Sequence, residues 1–283
     1  MPRILDISTV HIAPFKTLFE VLKEILREAN ITFLNTKETG DKKQEGGIKI
    51  STVDTSQTIL IYMKLDAKSF EKYYCARDGF VIGVNLELFY KHIKTTDKDD
   101  ILTLYMDEED PNTLKIEITN SSSGLSKKSE IGLMDTDGKL VAMHSLNFPV
   151  SITMLSTSFV KVCKEMQTLG ESMEIRCVPN SKMIEFITKS DTTKSIQTFK
   201  ELSDPSTKIK IRITDKSKVK PNEIIQGVFE LKNLMTFQKC ASLCANIELF
   251  LANNLPLTVV YNVAAFGKVI ICVSPIRNDN DVV

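Results

Sequence analysis

Net charge, a long apolar run and a paired-cysteine motif are all missing from this sequence. The 36 basic side chains are balanced by 36 acidic ones among 283 residues. That balance excludes a uniformly basic protein but permits a basic surface offset by an acidic one elsewhere. No run of eighteen apolar residues occurs, which argues against a membrane-spanning helix, and no membrane partner is expected. The N-terminal stretch MPRILDISTVHIAPF lacks an apolar core followed by a small-residue cleavage site, so a soluble, unsecreted chain is expected. Cys75, Cys163, Cys177, Cys240, Cys244 and Cys272 are scattered without a C-x-x-C pair, mostly among apolar neighbours. This fits buried thiols in a reducing compartment.

Catalytic motifs are missing too. His11, His92 and His144 have no Gly-rich or acidic companion at useful spacing, and no phosphate-binding loop occurs. Cys240 and Cys244 lie four apart, a spacing that could chelate, but no third and fourth ligand accompanies them. No catalytic residue, metal or cofactor is therefore expected, and an enzyme is the weaker alternative.

What is present is alternation. ILTLYM (101–106), TLKIEIT (113–119), KIKIRIT (208–214), LPLTVVYNV (255–263) and KVIICVS (268–274) alternate polar and apolar residues as half-buried antiparallel strands do. Four segments have helical period instead: 14–29, 86–94, 156–170 and 231–241. Pro14 suits a first helical turn and Gly170 a C-terminal stop. Phe15 and Phe159 open the first and third segments 144 residues apart, and Leu86 and Leu231 the second and fourth 145 apart. One helix-plus-sheet arrangement is thus used repeatedly, giving an α+β chain of two similar domains. The expected division is 1–131, a connecting loop over 132–148, and 149–283. ETGDKKQEGG (38–47) reads as a long hairpin loop.

Stepping roughly 100° per residue along the third helix puts Val162, Cys163, Met166 and Leu169 on the side of Phe159, and Lys161 and Lys164 opposite. Lys16, Lys23 and Arg27 share a stripe on the first helix, as do Lys91 and Lys94 on the second and Lys232 and Lys239 on the fourth. On any single helix such lysines are ordinarily just the solvated face, but recurrence on four helices suggests sorted cations. A cationic wall without an aromatic ladder suits duplex DNA rather than a stacked single strand, and no recognition-helix pattern implies sequence readout.

The segments APFKTLFEVLKEILREA, ISTVDTSQTILIYMKL, YYCARDGFVIGVNLELFYKHIK, DDILTLYM, LMDTD, SFVKVCKEMQTLG and PLTVVYNVAAFGKVIICVSP resemble, in order from about residue 12 to 277, the proliferating cell nuclear antigen family of DNA sliding clamps. The resemblance implies the DNA clamp fold, with two helices per domain packed on antiparallel sheet, and a homotrimeric ring around double-stranded DNA that tethers DNA polymerase. It implies DNA contacts at Lys16, Lys23, Lys91, Lys94, Lys161, Lys164, Lys232 and Lys239. A clamp loader would have to power loading. Partner proteins would dock short peptide motifs at Val53, Gln57 and Leu60, at Leu133, Asp135, Val141 and Met143 on the connecting loop, and at Pro256, Ile271, Cys272, Ser274 and Pro275. Because open sheet edges invite pairing, ring closure would use LSKKSEIGL (125–133) against DTTKSIQTF (191–199).

The sequence also departs from the family. Members are typically acidic, whereas this chain is balanced. KLVAM (139–143) stands where apolar-glycine-apolar-proline is usual, and Pro179 follows Cys177 where many members carry a modifiable lysine, with Lys182 nearby. A non-ring processivity factor holding DNA by charge, or one subunit of a heteromeric clamp, is the alternative reading.

Overall fold

A computed structural model describes residues 2–39, 42–54, 56–135, 141, 147–201, 209–214, 220 and 223–276. The chain divides into two units. The first comprises residues 1–52, 61–143 and 262–269, and the second residues 53–60, 144–261 and 270–283.

In the first unit, helices α1 (Ile12–Ile25) and α2 (Leu86–Ile93) pack on antiparallel strands. One sheet has the order Leu125–Gly132, Asp110–Asn120, Ile101–Asp107, Arg3–Thr9, Lys72–Cys75. A second set runs Ile59–Asp66, Gly47–Val53, Glu28–Leu34, Phe80–Asn85. Alternation fixes which side each residue faces: the strand Ile59–Asp66 alternates buried and part-buried positions along its whole length. α1 has no side-chain N-cap, a deficit of about 1 kcal/mol. Burial of Phe15, Leu18, Phe19 and Leu22, at about 1.5–3 kcal/mol each, outweighs it. The helices meet through aromatic rings, Phe19–Phe89 at 4.6 Å and Phe15–Phe19 at 4.8 Å between centroids. α2 is capped by Asn85, whose Oδ1 accepts from the Leu88 N–H at 2.9 Å.

In the second unit, α3 (Ser156–Gln167) and α4 (Leu231–Thr236) are followed respectively by Thr168 as C-cap and by a 3-10 turn, Gln238–Ser242. Here a four-stranded sheet has the order Lys194–Lys200, Met183–Lys189, Ser172–Val178, Ile225–Glu230. Another set runs Lys210–Ile213, Val150–Leu155, Asn246–Leu251, Leu257–Val263, Gly267–Val273. Phe159, Val162, Cys163 and Met166 supply the buried stripe of α3. Ser156 spends its hydroxyl on the Cys244 carbonyl at 2.6 Å rather than on a cap.

Three expectations need correction. Glu28 and Ala29, placed by periodicity in the first helix, begin a strand, because Leu26 turns extended at φ −123°, ψ 122°. The fourth helix is broken at Phe237, whose ψ of 22° leaves Lys239 on the 3-10 turn. Leu169, assigned to the apolar side of α3, lies beyond the last helical residue and is 38% exposed. The 38–47 segment contains a short hairpin, Lys37–Thr39 paired with Lys42–Gln44. The six cysteines are free thiols, and burial pushes Cys163 and Cys177 up to about 12. Among the described residues, no helix is long and apolar enough to cross a membrane.

Candidate functional site

The apolar stripe of each helix is buried, so its lysines emerge on the other side, but they do so to different degrees. In the first unit Lys16 is part-buried and donates from Nζ to the Thr96 carbonyl at 2.8 Å, fastening α1 to the chain just after α2. Lys23 contacts Glu24 Oε1 at 2.7 Å and lies 5.0 Å from the Tyr90 ring centroid. The hydrogen bond to Glu24 raises the Lys23 pKa against the opposing effect of burial. Lys91 and Lys94 are exposed, and Lys91 pairs with Glu87 one turn back at 2.7 Å. In the second unit all four lysines are exposed: Lys161 lies 3.8 Å from Glu165 and Lys232 2.9 Å from Glu230. Glu230, the Tyr90 ring and the Lys16–Thr96 bond were missed by sequence reasoning. Helical angles locate a side chain on a face but not what another element brings to it.

The expected peptide residues fall in separate groups. In the second unit, Asp54 organises the described residues between the strands that end at Val53 and begin at Ile59. Its Oδ1 accepts from the Thr58 and Ile59 N–H groups at 2.8 and 2.7 Å, its Oδ2 accepts from the Ser56 hydroxyl, and its N–H donates to the Ile59 carbonyl. Gln57 takes the left-handed conformation, φ 57°, at the exposed tip, with Val53 exposed and Leu60 part-buried. The Ser274 N–H donates to the Thr58 carbonyl at 2.9 Å, which ties Ser274 and Pro275 to this loop. Cys272 is part-buried, 3.4 Å from the Thr258 hydroxyl, and Pro256 is part-buried. Ile271 has 0% exposure; its place in the strand points it into the core, so it offers no surface to a peptide.

Asp54 is a second residue that sequence reasoning missed, although Asp followed by Thr-Ser is turn chemistry. Burial pushes its carboxyl up, but the hydrogen bonds from Ser56, Ile59 and Thr58 outweigh that and hold it below the usual range. The loop therefore has full support above the ordinary carboxylate pKa of about 4 and loses it as pH falls through the lower folded value. Asp54→Ala is expected to cost about 1–3 kcal/mol of local stability, read as faster amide exchange at Thr58 and Ile59.

In the first unit, the chain leaving Leu125–Gly132 is held by Leu133 N–H to the Asn112 carbonyl at 2.8 Å and Met134 N–H to the Gly83 carbonyl at 3.0 Å. Leu133 is part-buried, Asp135 exposed, and the Val141 carbonyl accepts from the Ser51 hydroxyl. Met143 and His144 lie outside the described residues.

Leu125–Gly132 and Lys194–Lys200 are among the strands that end their sheets. Leu125 and Ile196 are 46% and 47% exposed there. Among the described residues, no group of three or more His, Cys, Asp or Glu side chains could hold a metal ion.

Comparison with known proteins matches residues 4–140 to the N-terminal domain of proliferating cell nuclear antigen and residues 142–276 to its C-terminal domain. The chain belongs to the proliferating cell nuclear antigen family and has its two-domain DNA clamp fold. It is 28% identical to a probable DNA polymerase sliding clamp of Acanthamoeba polyphaga mimivirus over 98% of this chain, spanning 63% of that protein. It is 25% identical to the probable DNA polymerase sliding clamp 1 of Paramecium bursaria Chlorella virus 1, over 92% of each chain. It is 24% identical to the proliferating cell nuclear antigen of Chaetomium thermophilum, over 94% of this chain and 95% of that one.

Proposed function

We propose that the protein is a DNA sliding clamp: a homotrimeric ring that encircles duplex DNA, confers processivity on a polymerase and docks replication and repair proteins. The observation that carries this reading is the sidedness of the helices. Each buries its apolar stripe within its own unit and offers lysines away from it, in a chain whose relatives are named sliding clamps. Loose contact between ammonium groups and phosphates holds DNA without fixing a sequence, so the ring slides. The proposed DNA contacts are the eight lysines at 16, 23, 91, 94, 161, 164, 232 and 239. The free strand edges Leu125–Gly132 and Lys194–Lys200 are the proposed subunit contacts, since a head-to-tail pairing that closes removes both edges.

The exposed residues of the 53–60 loop, the segment from Leu133 to Met143, and the Pro256 and Cys272–Pro275 positions are the proposed landing site for partner peptides. Residues 1–131 and 149–283 are the proposed clamp domains, with 132–148 connecting them. The clamp is proposed to do no chemistry of its own, to depend on a separate clamp loader, and to work at replication sites, nuclear in a cellular host and nuclear or cytoplasmic for a virus.

Primer extension on a primed circular template by the host's replicative polymerase, with the host's clamp loader and ATP present, tests the reading. Added protein is expected to lengthen the products. Lys161→Ala with Lys164→Ala is expected to shorten them at least about fivefold, on the scale of two lost phosphate contacts, while the solution mass stays that of the unsubstituted protein. A fall in mass would make these lysines structural, and no stimulation by the unsubstituted protein would refute the function.

A further inference from the structure

Each proposed subunit edge is fastened to one lysine-bearing helix. In the first unit Lys127, on the strand Leu125–Gly132, lies opposite buried Ile118 and so points to the covered side of its sheet, where its Nζ donates to the Thr95 hydroxyl at 3.4 Å. Thr95 directly follows Lys94, the C-cap of α2. In the second unit Gln197, on the strand Lys194–Lys200, lies opposite buried Phe186, whose ring centroid is 6.2 Å from that of Phe159 on α3. The Gln197 side-chain amide donates to the Glu165 carboxylate of α3 at 2.6 Å. The two helices seated at the edges are therefore α2 and α3, and both expose lysines: Lys91 and Lys94 on the first, Lys161 and Lys164 on the second. The two helices are alike in this respect. Lys91 and Lys161 each have a carboxylate one turn away, Glu87 at 2.7 Å and Glu165 at 3.8 Å. The Lys94 and Lys164 side chains have no ion pair or hydrogen bond among the described residues, although Asp97 and Asp99 follow Lys94 closely in the chain.

We infer that phosphate is gripped across the subunit junction: α2 of one copy and α3 of the next form a single polyanion site that neither copy holds alone, so that bound phosphate helps to keep the ring shut. The inference rests on the clamp reading and on the two edges paired in it. Pairing those edges sets the strands about 4.8 Å apart, which makes neighbours of the helices seated over them. Two lysines on one helix release few counterions from a polyanion, whereas four on adjoining helices release more and bind it more tightly. A ligand that prefers the assembled chains to the separated ones stabilises the assembly by mass action. The ring would then resist opening most when DNA fills it.

The test is subunit exchange. Two pools of the full protein, carrying donor and acceptor fluorophores at the N-terminus, are mixed, and the growth of energy transfer is followed with and without inorganic polyphosphate. Polyphosphate is expected to slow exchange at least about fivefold. Lys94→Ala and Lys164→Ala are each expected, alone, to remove most of that slowing, because each takes away part of one half of the site, while the solution mass without polyphosphate stays that of the unsubstituted ring. Exchange that polyphosphate leaves unchanged, or slowing that survives either substitution, overturns the inference and leaves the clamp reading standing. Loss of assembly by a substituted protein without polyphosphate also overturns it, since that lysine would then support the junction itself. An unsubstituted protein that stays a single chain at micromolar concentration refutes the clamp reading and the inference together.

Discussion

Ile196→Glu is expected to leave a folded protein that no longer assembles, its solution mass falling from three chains to the 31.8 kDa of one. Ile196 is 47% exposed at the free edge of the four-stranded sheet, opposite Ile187 on the neighbouring strand. An exposed substitution of this kind changes the stability of one chain by only about 0.5 kcal/mol. Burying an unpaired carboxylate in a subunit contact costs several kcal/mol each time, and a closed ring repeats the contact at every junction. Both proposed edges carry lysines, Lys127 and Lys128 on one and Lys194 and Lys200 on the other. In the proposed junction, main-chain pairing and apolar contact would oppose repulsion between these lysines, which Glu130 and Glu117 partly offset on the first edge. Light scattering at micromolar concentration reads the result, and an unchanged mass would remove Lys194–Lys200 from the interface.

Gly47→Ala is expected to cost the largest amount of folding stability of any substitution considered, about 3 kcal/mol or more. Gly47 has φ +140°, where side chains are strained, and an added Cβ would sit 1.9 Å from the Leu65 carbonyl oxygen, a backbone atom that cannot swing aside. For comparison, Gly124 has φ +69° with nothing within 4 Å of an added Cβ. Gly124→Ala should cost only the conformational strain, about 1–2 kcal/mol. Thermal unfolding should therefore show Gly47→Ala well below the parent, by roughly 6–12 °C, and below Gly124→Ala. Equal midpoints for the two variants would mean that the close approach at Gly47 relaxes without cost.

The helices were legible because their apolar residues recur at a period no strand can satisfy: Ile12, Phe15, Leu18, Phe19 and Leu22 give one buried stripe. The ends were less so. Leu26-Arg27-Glu28-Ala29 has good helical propensity, yet the chain turns extended there and pairs Glu28 with Asn85 and Ala29 with Val84, tertiary pairing overriding local preference. LSKKSEIGL and DTTKSIQTF, which the resemblance implied as edges, both lie at sheet ends. The candidate site was legible only as faces. That Lys16 reaches Thr96 across 80 residues, that Lys23 lies against Tyr90, and that Gln197 claims Glu165 are facts of helix and strand packing that no single-segment pattern contains. The Asp54 turn was different: its residue types carried the signal, and it went unread.

The most direct measurement of the central proposal is retention on circular DNA. The protein, loaded onto a nicked plasmid by its clamp loader, is washed in high salt, and the plasmid is then cut once. A closed ring is expected to stay through the salt wash at the mass of three chains and to leave when the circle becomes linear. Loss in the salt wash, with no dependence on whether the DNA is circular, would mean that the protein holds DNA by charge alone and does not encircle it.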